Sequence, residues 1–284
     1  LASINDFKEK IIKPHEKIYE NRKIERAEQM MNLNTQIGPI YAFYKSENSI
    51  RNLLLSQIKE LPSYDFESFD KSIHKLWCIN NPKFIKELKN LMKNIKYLYI
   101  ADGHHRMGAM EYIKQKNPLI EKIMIAAFPS NESKIFDYNR VIKDLNGLSK
   151  DTFIEILSKD FKVTEINKPF KPTNKKVFGM YHANQWYSLE FIGYLKSYDF
   201  IDQLDINILN EVCLLNILNI KDVNNDERIR FIAGCHGLSA LEKKVDDNPD
   251  SVAFSIFPSE ISDVIRVADY NFTMPPKSTW FDPK

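Results

Sequence analysis

Only six histidines occur in 284 residues, and two of them stand side by side in Asp102-Gly103-His104-His105-Arg106. This pentapeptide combines a carboxylate, a residue without a side chain, two imidazoles and a guanidinium. Glycine lets a ligand come close to the backbone. Arginine grips phosphate oxygens in a planar fork. Histidine donates hydrogen bonds, shuttles protons or binds metal through a neutral nitrogen. At the start of a helix, unbonded N–H groups and the positive end of the dipole add to an anion site. These residue types in this order point to phosphate binding by Gly103, His104, His105 and Arg106, with Asp102, His104 and His105 as acid–base candidates. A structural role is open to the same residues: Asp102 as a helix cap, Gly103 as relief for a tight turn, the histidines as solvated first-turn residues. Neighbouring histidines on a helix point about 100° apart, so they are poor joint ligands for one metal.

Two further clusters carry chemistry. Lys13-Pro14-His15-Glu16-Lys17 places an imidazole and a carboxylate among cations, although alone it reads as a solvated charged turn. Glu16 or Asp102 would serve as general base, or hold Mg²⁺ through oxygen. The segment MPPKSTWFDPK, residues 274–284, is stiffened by Pro275 and Pro276. Lys277, Ser278 and Thr279 then supply a cation and two hydroxyls, and Trp280 and Phe281 mark a docked tail. Lys17, Asn139 and Arg140 complete the set of polar candidates. Two decoys are set aside. Lys277-Ser278-Thr279 lacks the preceding glycines of a P-loop. Gly234-Cys235-His236-Gly237 resembles part of the sulfiredoxin active-site pattern, but no arginine follows His236.

The elements that must position these residues follow from the flanks. Tyr97-Leu98-Tyr99-Ile100-Ala101 is a short apolar run that reads as a buried strand. Arg106 to Lys116, apolar at Met107, Met110 and Ile113, reads as an amphipathic helix. The pentapeptide therefore sits where a strand hands over to a helix. Elsewhere the pattern predicts a helix up to Ile12 that breaks at Pro14, then helices at ERAEQMMNL, SIRNLLLSQIKEL, NPKFIKELKNLMKNI, DTFIEILSKDF, LDINILNEVCLLNILNI, LSALEKKVD and EISDVIRVAD. Strands are expected at GPIYAFYKS, SIHKLWCI, IEKIMIAAF, KKVFGMYHA, QWYSLEFI, RIRFIAG and SVAFSIF. The mixture predicts an α/β or mixed α+β fold. Two lobes are expected, 1–146 and 147–284, divided at Asn146-Gly147, with the tail 272–284 returning to the site.

Composition narrows the class. Hydrophobic residues make up 43% and charged residues 27%, which is ordinary for a globular chain. Forty Lys and Arg against 38 Asp and Glu give a net charge of +2, so there is no general attraction to nucleic acid or an anionic membrane. No apolar run approaches the length of a membrane span. Three cysteines, none close to another, predict a reducing cytoplasm.

IADGHHR, IIKPHEK, LDINILNEVCLLNIL, RIRFIAG and MPPKSTWFDPK occur in the order that resembles domain-of-unknown-function family 1015, over essentially the whole chain. Members of that family usually extend further at both ends, so the resemblance implies a chain truncated at both. The family is often described as similar to ParB and Spo0J. This implies a ParB/sulfiredoxin-like strand–GxHR–helix core with a second α/β lobe, and nucleotide phosphate on the Gly103–Arg106 loop. Sulfiredoxin, nucleotide-hydrolysing partition proteins and free serine kinases belong to that superfamily. The expected activity is therefore a nucleotide-dependent phosphotransferase of free-serine-kinase type. It would use ATP or ADP, with Mg²⁺ as a possible cofactor, and act on a small hydroxylated substrate. Two alternatives stand beside it. One is a ParB-like nucleotide- or DNA-binding regulator without transfer chemistry, although balanced charge and the lack of a clear helix-turn-helix argue against DNA. The other is a metal-dependent hydrolase using His15, His104 and Asp102. The phosphotransferase reading expects His15-Glu16, the Asp102–Arg106 turn and Lys277–Thr279 to converge on one cleft.

Overall fold

Ile40–Tyr44 and Leu98–Asp102 are runs of β-branched and aromatic residues with little polar interruption, and they form paired, largely buried strands. They are central to the first of two compact units: residues 1–13 with 19–132, and residues 14–18 with 133–284. The computed structural model describes residues 1–195, 197 and 199–282. The fold is mixed α+β.

In chain order the first unit comprises β1 (Ala2–Ser3), α1 (Asn5–Lys8), β2 (Ile12–Lys13), α2 (Glu20–Leu33), β3 (Ile40–Tyr44), α3 (Asn48–Gln57), β4 (Tyr64–Glu67), β5 (Ile73–Leu76), α4 (Pro82–Met92), β6 (Leu98–Asp102), α5 (His104–Lys116), β7 (Lys122–Ile123) and β8 (Ile125–Pro129). Its main sheet has the order β2-β6-β3-β8. β2 runs parallel to β6, β3 antiparallel to β6, and β8 parallel to β3. Met107, Ala109, Met110 and Ile113 of α5 pack with Ala27 and Met30 of α2 over Ile40 and Ile100. That stripe holds α5, and with it the Gly103 turn, against the end of β6. The helix expected up to Ile12 is only α1. Ile12 and Lys13 instead join the sheet opposite Leu98 and Tyr99, because pairing and burial beside β6 outweigh local helix propensity. α4 starts as its sequence requires: Asn81 Oδ1 accepts from the N–H groups of Lys83 and Phe84, and Pro82 takes the first position.

The second unit continues with β9 (Lys134–Phe136), β10 (Tyr138–Ile142), α6 (Lys150–Leu157), β11 (Phe161–Ile166), β12 (Val177–His182), β13 (Gln185–Phe191), α7 (Asp205–Ile208) running into a π-helical stretch (Leu209–Leu215), β14 (Ile229–Ala233), α8 (Ser239–Asp246), β15 (Val252–Ile256), α9 (Ile261–Asp269) and β16 (Trp280–Asp282). Six strands form an antiparallel sheet in the order β11-β13-β12-β15-β10-β14. β12 and β13 turn at Ala183 and Asn184, both with positive φ, as a tight hairpin demands.

The division between units falls at 132/133 and not at 146/147. Asn146 and Gly147 do form a turn with positive φ, but it lies inside the second unit. There it leads to Ser149, whose Oγ accepts from the Thr152 N–H and caps α6. Residues 134–142 belong to the second unit because β9 pairs with β16, and β10 pairs with β14 and β15. The C-terminal tail is docked through β16, with Met274 and Phe281 buried. Its last two residues, Pro283 and Lys284, lie outside the described residues. Among the described residues no helix is long and apolar enough to cross a membrane.

Candidate functional site

In the first unit, β6 ends at Asp102 and α5 begins at His104, with Gly103 between them at φ 97°, ψ 24°. That left-handed geometry costs glycine little and other residues more. The Met107 N–H donates to Gly103 O at 2.9 Å, so the N–H groups of residues 104–106 stand ahead of the first helical bond. Arg106 folds back across the turn. Its Nη2 donates to Asp102 Oδ2 at 2.7 Å. A Cβ added to Gly103 would stand 3.0 Å from Arg106 Nε and Nη2, and one added to Gly38 would stand 2.8 Å from Nη1. Two glycines thus clear the space that the guanidinium occupies. The Arg106 and Asp102 side chains are 24% and 40% exposed, so the pair opens to solvent.

The two histidines diverge, as the helical rotation predicts. His104 is buried. His105 is half-buried and stacks on Tyr19, with ring centroids 5.9 Å apart and planes 8° apart. Its Nε2 accepts from the Tyr19 N–H at 3.3 Å, which puts any single ring proton on Nδ1. Burial, aided by Arg22 and Arg26, pulls the His105 pKa down, and this favours the neutral ring. Gly103→Ala should destabilise the protein by about 1–3 kcal/mol, the cost of a strained backbone residue, because its φ and the Arg106 and Ile40 contacts both resist a methyl group. An unchanged denaturation midpoint in urea would contradict this.

The second unit brings together the other two clusters. His15 Nε2 and Thr279 Oγ1 are 3.3 Å apart, though 264 residues separate them in sequence. His15 is fully buried, its ring lies 5.8 Å from that of Phe281, and its carbonyl accepts from the Met274 N–H at 2.7 Å. Ser278 Oγ donates to Pro275 O at 2.6 Å. Lys277 Nζ lies 5.8 Å from the centre of the Tyr138 ring, whose edge meets Trp280. Burial raises the Tyr138 phenol pKa, Arg140 opposes this, and Glu16 adds to the rise; Glu16 is therefore within electrostatic reach of Tyr138. Lys17 is exposed. Asn139 pins the sheet: its Nδ2 donates to Asp137 Oδ2 at 2.6 Å, and its Oδ1 accepts from the Ile256 N–H at 3.0 Å. Arg140 is fully buried, and its Nη2 donates to Lys277 O at 3.0 Å.

The sequence-predicted residues thus form two local groups, Asp102–Arg106 in the first unit and His15, Glu16, Arg140 and Lys277–Thr279 in the second. Sequence reasoning missed Gly38, Tyr19, Asp137 and Tyr138. Gly38 is one of only eight glycines, which was a usable signal. Asp137 ion-pairs with Lys171 at 2.7 Å, and nothing local in the sequence announces that. Among the described residues no group of three or more His, Cys, Asp or Glu is placed to hold a metal ion.

The family described as "Protein of unknown function (DUF1015)" matches residues 1–207. No curated protein matches the sequence. Among solved structures, a variant of a free serine kinase in complex with AMP is 13% identical with a TM-score of 0.48, over 99% of this chain and 85% of that one. SbnI from Staphylococcus aureus, truncated at its C-terminus, is 10% identical with a TM-score of 0.48, over 99% and 81%. A conserved hypothetical protein from Pyrococcus furiosus is 12% identical with a TM-score of 0.43, over 99% and 88%.

Proposed function

The chain belongs to the DUF1015 family, and from that premise we propose that it is a nucleotide-dependent phosphotransferase acting on a small hydroxylated substrate. The observation that carries this reading is the left-handed Gly103 at the head of a 13-residue helix, with the Arg106 guanidinium packed over it. The reading takes β6–Gly103–α5 as the phosphate-binding element of the ParB and sulfiredoxin superfamily, which IADGHHR resembles. The terminal phosphates of ATP or ADP would rest on the first-turn N–H groups, and Arg106 would offset their charge. Asp102 acts through Arg106, as a positioning residue that fixes the fork's orientation.

Phosphoryl transfer is mostly positioning and charge stabilisation. The substrate hydroxyl oxygen forms the new bond to phosphorus as the bond from phosphorus to the bridging oxygen breaks. The leaving nucleotide keeps that electron pair. The hydroxyl proton needs an acceptor. Asp102 and Glu16 are the two carboxylates put forward for this role, and Asp102 is already engaged by Arg106. His105 accepts from the Tyr19 backbone and secures the helix entry. Mg²⁺, if used, would take one carboxylate together with phosphate oxygens, a demand that Asp102 or Glu16 can meet; it would supply further charge neutralisation. The reading places the reaction in the cytoplasm, in keeping with free Cys78, Cys213 and Cys235.

The test is a panel of ATP, ADP and CTP, with and without Mg²⁺, followed by radiolabelled phosphate transfer to free amino acids and small alcohols. A nucleotide at about 100 times its Kd should stabilise the fold by about 2.7 kcal/mol. Absence of any nucleotide-induced shift overturns the reading. Binding without transfer to any acceptor would favour the regulatory alternative instead.

A further inference from the structure

The second unit holds a cavity of about 170 Å³ whose wall includes Arg140, Lys175, Asp205, Ser259, Arg266 and Ser278. Two of these are buried ions with unmet hydrogen-bonding capacity. Arg140 is 1% exposed. Its Nη1 donates to Tyr138 O and its Nη2 to Lys277 O, and its guanidinium lies 5.3 Å from the centre of the Phe231 ring. Its Nε–H has no acceptor among the described residues, and no carboxylate there pairs with it; Tyr138 is the one group whose charge bears on it. Asp205 is 7% exposed, and its Oδ1 accepts from the Lys176 N–H at 2.9 Å. Its Oδ2 has no donor among the described residues. Buried charges are ordinarily paired and hydrogen-bonded, and a group left without a partner marks strain, chemistry or an ion.

The other cations have settled positions. Lys175 is held by Glu260 at 2.8 Å and by Asp263 at 2.9 Å. Arg266 is exposed and lies 4.2 Å from the centre of the Phe200 ring. Arg140 is therefore the buried cation of this wall without an anion.

We propose that this cavity binds a small metabolite through a carboxylate or phosphoryl group received by Arg140. The space admits phosphate or a short carboxylic acid. The inference does not rest on the phosphotransferase reading. The electrostatics agree with it. Burial pulls the Arg140 pKa down to about 9, which leaves the guanidinium charged at neutral pH and favoured by an incoming anion. Burial pushes the Asp205 carboxyl up to about 6; the Lys176 N–H, Lys175 and Lys176 oppose this, and Asp263 adds to it. Below pH 6 Asp205 carries a proton that Oδ2 can donate to an oxyanion. Above pH 6 its charge repels the ligand, so affinity rises as pH falls through 6.

The test uses calorimetry and thermal shift with sulfate, inorganic phosphate and malonate on the full chain. Sulfate keeps its charge between pH 5 and 8, so it isolates the protein's titration. Sulfate should bind about tenfold more tightly at pH 5 than at pH 8, the equivalent of one pKa unit of differential interaction. Asp205→Asn should flatten that dependence. Arg140→Met should abolish binding, whereas Arg106→Ala should keep it. If Arg140→Met does not fold, a crystal structure of the wild-type protein with sulfate decides: the ion must lie within hydrogen-bond distance of Arg140. The phosphate and malonate arms show whether a phosphoryl or a carboxylate source is preferred. No saturable binding of any of the three, binding that survives in Arg140→Met, or binding lost in Arg106→Ala would each overturn the proposal. The last of these would place the anion at the Gly103 turn.

Discussion

Arg106→Ala should weaken ATP or ADP binding by about 10²–10⁴-fold while the apo protein melts nearly where the wild type does. A bidentate fork makes two charge-assisted hydrogen bonds, each contributing about 1.5–3 kcal/mol, and every 1.4 kcal/mol is about tenfold in affinity. The folded apo state loses far less. The Arg106–Asp102 pair is part-exposed, and such pairs contribute about 0–1 kcal/mol. Arg106→Lys should fall in between, because it keeps the charge and loses the planar fork. Titration calorimetry alongside thermal denaturation separates these outcomes. A large drop in apo stability with unchanged nucleotide affinity would make Arg106 a structural ion-pair residue and remove the phosphate site.

Glu16→Gln should lower turnover by about 10²–10⁴-fold, the range for loss of a general base, with nucleotide affinity intact. Asp102→Asn should behave differently. Asn keeps an acceptor oxygen for Arg106 and loses the charge, so the expected effect is weaker nucleotide binding more than slower chemistry. The contrast between kcat and KM is the readout, since a merely structural Asp102 would move neither at equal stability. Full activity in Glu16→Gln would sink the carboxylate-base step. Equal kcat losses in both variants would mean that Asp102 reaches the reacting proton after all.

The strand–turn–helix around Gly103 was legible because its cues are local. An apolar run, a glycine and a 3.6-residue apolar period lie within 20 consecutive residues, and β6 and α5 start and stop within two residues of their expected limits. The hairpin β12–β13 was legible for the same reason. The strands at 134–142 were not. Their interior carries Asp137, Asn139 and Arg140, polar residues that interrupt any apolar strand pattern. Burial is achieved there by partners far along the chain: Lys171 for Asp137, Ile256 for Asn139, Lys277 for Arg140. The lobe boundary was misplaced through the same blindness. Asn146-Gly147 is a true turn signal, but a turn signal does not say which sheet its flanking strands will join. β11 was overlooked because Phe161 closes an apolar helical pattern, although FKVTEI then forms a strand opposite β13. The cavity residue Asp205 sat within a segment that reads as plain helix, and its hydrogen-bond donor, the Lys176 N–H, lies 29 residues away.

The chain's route through its two units has a consequence for synthesis. Residues 1–13 and 19–132 make one unit, so that unit has all of its own residues by the time Glu132 is made. The other unit owns residues 14–18 but nothing more until Ser133. His15 therefore leaves the ribosome early and must wait 264 residues for the hydroxyl of Thr279. One unit is able to fold while translation continues. The other cannot place β16 beside β9 until residue 282 has been made. A chain that stops between Glu132 and Thr279 thus has every residue of the first unit and lacks the hydroxyl that meets His15.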